Sequence, residues 1–234
     1  MKVQLEKEVH KPIIIHGFPT FGLIGSIITE YLIEYYHCEK IGSIQSAELA
    51  PMVAIHDGKL IEPISLFYNE EKNILIVHAI GEFTHVEYKL AQAIVELVEK
   101  TESWELISFE GIADPRVQAK TELFGIAQNT DLLAKTGIQS LDQGVIMGVC
   151  AALLLNLPPT VRHSLILATT HSKLPDSHAA IVVLEKLAQY LELHIDSTPL
   201  QEQAKVFEQK MQSIMRNTQT AQKEKREKTL SYVG

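Results

Sequence analysis

The chain has 10 histidines, 29 acidic residues and two cysteines, so acid–base, metal and nucleophilic chemistry are the first readings to weigh. His85 with Glu87, and His171 with Asp176 and His178, each follow an apolar stretch. α/β proteins keep their sites at such strand ends, and an imidazole beside a carboxylate is an acid–base pair. A helix cap, a surface residue or an interface contact accounts for either group equally well. No pair of histidines has the i, i+4 spacing with an adjacent Glu that marks zinc hydrolases. Ser172 beside His171 lacks the flanking glycines of a nucleophile elbow. Glu110-Gly-Ile-Ala-Asp114-Pro-Arg116 sets two carboxylates near a guanidinium, which suits a substrate and equally a structural ion pair.

The richest stretch is Gly17-Phe18-Pro19-Thr20-Phe21-Gly22-Leu23-Ile24-Gly25-Ser26, which joins an apolar run to a helical pattern. Backbone amides at a helix start can cradle an anion. The alternative function is therefore a nucleotide- or phosphate-binding enzyme, a ligase or transferase, using the Gly17–Ser26 loop. The spacing departs from both known patterns. A P-loop requires Lys then Ser or Thr after its second glycine, and Leu23-Ile24 stand there. The dinucleotide fingerprint has its glycines closer together. Phe18 and Phe21 would also lie exposed beside the phosphate. The competing reading is a tight turn that lets the helix approach the strand. The sequence holds no recognisable catalytic set, cofactor-binding motif or metal-ligand spacing.

Hydrophobic periodicity supplies the elements that carry these residues. Residues 11–18 form a short apolar run ending at Gly17 and Pro19, the pattern of a buried strand. Leu23, Ile27, Ile28, Tyr31, Leu32 and Tyr35 recur at helical spacing to about Cys38. Strands are expected over 40–45, 52–56 and 61–68, with Asp57-Gly58 as a hairpin turn between the last two. A fully apolar strand over 74–80 precedes a helix capped by Thr84, with Val86, Leu90, Ile94, Leu97 and Val98 on one side. Further strands are expected over 104–110, 122–128 and 164–170. A short helix over 130–135 stops at Gly137, a buried helix covers 144–155, and Asp176 or Ser177 caps a helix to about Leu193. Apolar strands alternating with helices predict a three-layer α/β sandwich around a mixed, mostly parallel sheet. The hairpin at Asp57 supplies the antiparallel part.

The C-terminal segment differs. Pro199 suits a first helical turn, and Leu200, Ala204, Phe207, Met211 and Ile214 follow as a narrow apolar seam. Leu200, Phe207, Met211 and Ile214 would serve as an oligomer seam, or fold back on the domain. Residues 218–234 lack periodicity and are charged until Leu230-Ser-Tyr232-Val233-Gly234. The expected division is a core at 1–197, an amphipathic helix at 198–217 and a flexible tail at 218–234. An apolar end on a solvated linker gains nothing without a partner. Leu230, Tyr232, Val233 and Gly234 are therefore the candidate partner-binding residues.

Composition bounds the partners. With 46% hydrophobic residues the core is ample without disulfides or metals, so Cys38 and Cys150 read as buried reduced thiols. A net charge of −8 disfavours nucleic acid, whose phosphates select basic faces. The basic cluster at 223–228 contains two acids and reads as a solvated helix end. The charged N-terminus is unlike a signal peptide and no apolar run is long enough for a bilayer. No membrane partner and a cytoplasmic location are expected.

The order of these segments resembles the proteasome assembly chaperone family in its archaeal form, homologous to the second eukaryotic assembly chaperone. The Gly17–Ile28 stretch looks like the family's opening motif. Ala47-Glu-Leu-Ala-Pro51, Val53-Ala-Ile-His-Asp-Gly58, Pro63 before a strand, and Gly144-Val-Ile-Met-Gly-Val149 follow in family order. Thr20 stands where the family often has glycine. The resemblance covers residues 11–195 and implies a nucleoside-phosphorylase-like three-layer fold without evident phosphorylase residues. It also implies a non-enzymatic homo-oligomer that binds proteasome α-type subunits or the core particle. Some members dock through a C-terminal hydrophobic-Tyr-any tail. Here Tyr232 is third from the end, a departure from that pattern.

Overall fold

The computed structural model describes residues 1–56, 59–81, 83–114, 121–170, 174–202 and 206. In chain order the elements begin with β1 (Lys2–Leu5), β2 (Ile13–Gly17), α1 (Ile24–Tyr35), β3 (Glu39–Gln45), β4 (Ala54–His56), β5 (Lys59–Ile61) and β6 (Ile64–Asn69). They continue with β7 (Ile74–Ala79), α2 (Glu87–Thr101), β8 (Glu105–Ala113), β9 (Leu123–Gln128), α3 (Leu132–Thr136), β10 (Gln139–Ser140), α4 (Gly148–Asn156), β11 (His163–Thr170) and α5 (Ser177–Leu191).

Among the described residues, nine strands form one sheet in the order β1-β3-β6-β7-β2-β8-β11-β9-β10. Its centre is parallel, β7 to β2, β2 to β8 and β8 to β11. These strands carry apolar residues on both faces because both faces are covered, with buried polar residues such as His16, Ser108 and His163 between them. Ile14, Leu75, Val77 and Leu106 pack under α2 and α4. Their chain neighbours Ile15, Ile76 and Ile107 face the opposite way, into a cluster with α1, α3 and α5. That two-sided burial is the expected three-layer α/β sandwich.

The sheet is mixed for a different reason than expected. Its antiparallel part is the β1-β3-β6 flank, the β6–β7 pair and the β9–β11 pair. The hairpin does form, but β4 and β5 pair only with each other and stand apart. The strand expected over 61–68 is split at Pro63, which has no N–H to donate to a ladder. Asp57 and Gly58 lie outside the described residues.

Two helix starts differ in detail. Thr84 does not cap α2: the N-cap is Val86, and His85 between them takes a left-handed φ of 71°. The helix expected from Gly144 begins at Gly148, whose φ of 71° breaks helical continuity with Met147. That helix is only partly buried, with Leu155 72% exposed. Asp176 does cap α5, its carboxylate accepting from the Ala179 N–H at 2.9 Å. α3 ends at Gly137, which supplies the left-handed C-cap (φ 68°). Cys150 is buried, Cys38 is half-buried, and both are free thiols.

Candidate functional site

The Gly17–Ser26 segment crosses from the C-terminal end of β2 into α1, beside the ends of β8 and β11. Phe21–Leu23 make a single tight turn. Gly22 takes φ 69°, and Leu23 follows at φ 49° as the N-cap of α1. Each glycine answers a close approach. A β-carbon on Gly25 would lie 2.6 Å from the Gly17 Cα, and one on Gly17 would overlap the Gly25 backbone. One on Gly22 would lie 2.9 Å from the Thr170 hydroxyl, and one on Gly111 of β8 would overlap the Phe21 carbonyl. Gly17, Gly22 and Gly25 are buried. The turn is thus set where α1 and the ends of β8 and β11 come closest.

Two polar groups of the segment bond neighbouring backbone, while the buried Ser26 Oγ has no partner among the described residues. The Asp176 N–H donates to the Gly22 carbonyl at 2.8 Å. The Thr170 hydroxyl donates to Asp176 Oδ2 at 2.7 Å. Asp176, grouped by sequence with His171 and His178, is therefore a hub joining loop, β11 and α5. Thr20, where the resembled family often has glycine, has an extended backbone (φ −125°, ψ −160°) open to any residue. Its hydroxyl accepts from the Gly111 N–H at 3.4 Å. Phe18, the end of the expected buried strand, is 4% exposed and packs on His16 and Phe83 at ring distances of 5.2 and 5.5 Å. Pro19 and Phe21 are half-buried.

Beneath the loop lies a polar cluster that sequence reasoning missed. Ser108 Oγ stands 2.6 Å from His16 Nε2 and 2.8 Å from His163 Nε2. All three residues are fully buried. Burial pushes His16 down to about 3, aided by His163, and His163 down to about 4. Both rings are neutral near pH 7, so the hydroxyl donates to one Nε2 and accepts from the other ring's Nε2–H. Both Nδ1 atoms are buried with no partner among the described residues. With no carboxylate in the chain of bonds and no exposed atom, this arrangement ties β2, β8 and β11 together. The three residues come from distant segments, so no local pattern marks them.

Other buried polar groups bridge layers in the same way. Glu105 accepts from Ser164 Oγ at 2.5 Å and from the Tyr190 hydroxyl at 2.8 and 3.0 Å. Burial raises its carboxyl despite these bonds and Arg162. Thr29 Oγ1 lies 2.9 Å from His78 Nδ1, and His78 Nε2 lies 3.1 Å from Glu30, which joins α1 to β7. Burial pushes the Glu110 carboxyl up to about 7, against a hydrogen bond with the Cys150 thiol.

The remaining candidates are dispersed. His85 is exposed, Glu87 half-buried and His178 exposed. Asp114 follows β8, while Pro115, Arg116, His171 and Ser172 lie outside the described residues. Leu200 is 5% exposed and belongs to the α1–α5 cluster. Phe207, Met211, Ile214, Leu230, Tyr232, Val233 and Gly234 lie outside the described residues, as does the basic cluster at 223–228. No group of three His, Cys, Asp or Glu among the described residues could hold a metal ion. No helix among them is long and apolar enough to cross a membrane.

This architecture is shared with known proteins. The family model described as PAC2 matches residues 14–215. The chain belongs to the PAC2 family. The match runs from β2 through α5 and so takes in the whole parallel centre of the sheet. An uncharacterized Methanocaldococcus jannaschii protein is 26% identical over 211 residues, covering 88% of this chain and 87% of the relative. The crystal structure of Pyrococcus furiosus PbaA, described as an archaeal homolog of proteasome-assembly chaperone, superimposes with a TM-score of 0.84 at 26% identity. That superposition covers 94% of this chain and all of PbaA. P. furiosus PbaB, described as an archaeal proteasome activator, gives 0.73 at 21% identity over 92% and 98% of the two chains and shares the fold.

Proposed function

We propose that this PAC2-family chain is a non-enzymatic proteasome assembly chaperone or adaptor, a cytoplasmic homo-oligomer that binds proteasome α-type subunits or the core particle. The observation that carries this reading is the likeness to PbaA, in fold and at 26% identity over 94% of this chain, beside the chain's own PAC2-family match. The site geometry agrees with it. The loop's glycines are accounted for by close packing, and its Gly22 carbonyl and Thr20 hydroxyl accept from the Asp176 and Gly111 N–H groups. Leu230, Tyr232, Val233 and Gly234 would enter pockets on the partner. Phe207, Met211 and Ile214 would extend the apolar stripe whose first residue, Leu200, is buried in the α1–α5 cluster.

The test is a pull-down of the full chain and of a 1–229 truncation against α-subunits and assembled cores. Capture by the full chain alone assigns docking to the tail. Capture by both keeps the function and moves the contact to the folded domain. Capture by neither, with ATP or a phosphorylated metabolite raising the melting temperature, returns the loop to an enzyme's use and sinks the proposal.

A further inference from the structure

The β4–β5 hairpin leaves one side of itself uncovered. Its pairs are Ala54 with Ile61, Ile55 with Leu60 and His56 with Lys59. Residues directly opposite in an antiparallel pair share a face, and successive residues alternate. Ile55 and Leu60 therefore stand together on one side, with Ala54 and Ile61 on the other. The second side is seated on the domain: Ala54 and Ile61 are half-buried, and the Met52 methyl fills the space where a Gly81 β-carbon would stand. On the first side Ile55 is 72% and Leu60 64% exposed, and neighbouring Val53 is 53% exposed.

We infer that this outer face is the self-association surface, covered by the same hairpin of a second copy. The inference rests on the homo-oligomer part of the reading above and names the surface it uses. An isolated two-stranded hairpin is marginal in water, and among the described residues no further strand pairs with the outer edge of β4 or β5. A solvated hairpin would carry charge on its outer side, whereas this one carries branched aliphatics, as the core of a permanent homodimer interface does.

Charge selects the occupant. The chain carries −8 in total, but residues 51–61 hold one acid, Asp57, and one base, Lys59, and sum to zero. Two like-charged copies repel over most of their surface, so a neutral apolar face is where they approach at least cost. A basic or acidic partner would select charges that this face lacks. Permanence points the same way, because an aliphatic face exposed in the free chain promotes aggregation. A copy is always present in equal amount, whereas a client is not. A two-fold axis would set Ile55 and Leu60 against their equivalents. The Lys89–Glu48 ion pair at 2.5 Å holds the approach to the hairpin against the first turn of α2, where Tyr88 is 58% exposed and would form the rim.

Sedimentation velocity on the full chain and on Ile55→Asp/Leu60→Asp tests the inference. The wild type is expected to self-associate with concentration. The variant should sediment as a single chain with unchanged circular dichroism, its dissociation constant raised at least tenfold. A folded variant that associates like the wild type overturns the surface and leaves self-association standing. A wild type that stays monomeric overturns both. A monomeric wild type whose capture of α-subunits is lost in the variant assigns the face to a client instead. Should the variant not fold, Leu60→Cys and Gln92→Cys, each in a Cys38→Ser background, are exposed to a mild thiol oxidant. Cross-linked dimer from Leu60→Cys alone supports the inference, while equal yields, or none, overturn it.

Discussion

Glu110 stands on β8 with its carboxyl pushed up to about 7 by burial, hydrogen-bonded to the Cys150 thiol, and with Oε2 unpartnered among the described residues. Its folded value lies above its unfolded one. The stability it contributes is full below about pH 4.5 and is lost as pH rises through 7. Glu110→Gln removes that dependence while keeping an acceptor for the thiol. The variant should gain on the wild type by about 2 kcal/mol between pH 4.5 and pH 8, taking ~1.4 kcal/mol per unit and discounting for solvent access. Urea midpoints at the two pH values measure it, and parallel curves would refute the assignment. His16 and His163 act in the opposite sense. Their folded values of about 3 and about 4 lie below the usual 6.5, so stability is lost as pH falls below 6.5. Both proteins share that loss, so the difference isolates Glu110. Side chains of this kind were illegible in the sequence. Ser108 sits opposite His16 and diagonal to His163 because of strand order, and strand order is not a local property.

The turn between β2 and α1 was the most legible element, because three glycines at a strand-to-helix junction leave few reasons besides a close approach. The sequence left an anion cradle and a packing turn both open, and the choice depends on what faces the loop. Thr170, Gly111 and Asp176 face it, and they come from elements 80 residues and more further along. The hairpin shows the converse. Val53, Ala54 and Ile55, then Leu60 and Ile61, are apolar on both alternating faces. The strands and their turn are legible in that pattern, but the uncovered outer face is not, because what covers a face is not a local property. At this scale the packing can be tested at Gly25. An added methyl 2.6 Å from the Gly17 Cα meets backbone that cannot rotate away, so α1 must lift off β2. Gly25→Ala should cost about 3 kcal/mol, the upper end of overpacking, and lower Tm by roughly 6–12 °C. At Gly144 a β-carbon meets only the Leu141 side chain, at 3.3 Å, and Gly144→Ala should fall within ~0.5 kcal/mol of wild type. Equal losses at both sites would mean that the Gly17–Gly25 contact is not what sets the turn.

Across the whole molecule, the layers were legible because the central strands carry apolar residues on both faces, and the β1-β3-β6 flank was not, because its pairing partners lie far apart in sequence. The sequence also left the C-terminal helix between a free seam and a fold-back. The segment leading into it is held by the domain. Tyr36 donates to the His194 carbonyl at 3.2 Å, Tyr31 to the Asp196 carbonyl, and the Asp196 N–H to Tyr35 at 3.3 Å. Leu200 then enters the α1–α5 cluster. A tail that docks on a partner needs a fixed point of departure, and these contacts supply one whichever way the chain continues. Leu200→Ala should therefore cost about 2–3 kcal/mol of unfolding free energy, as for other buried leucines. Removal of residues 218–234 should leave Tm unchanged. If instead the truncation lowers Tm as much as Leu200→Ala does, the last seventeen residues pack on the domain. They could then not reach a partner without first unpacking, and the docking role would pass to the folded face.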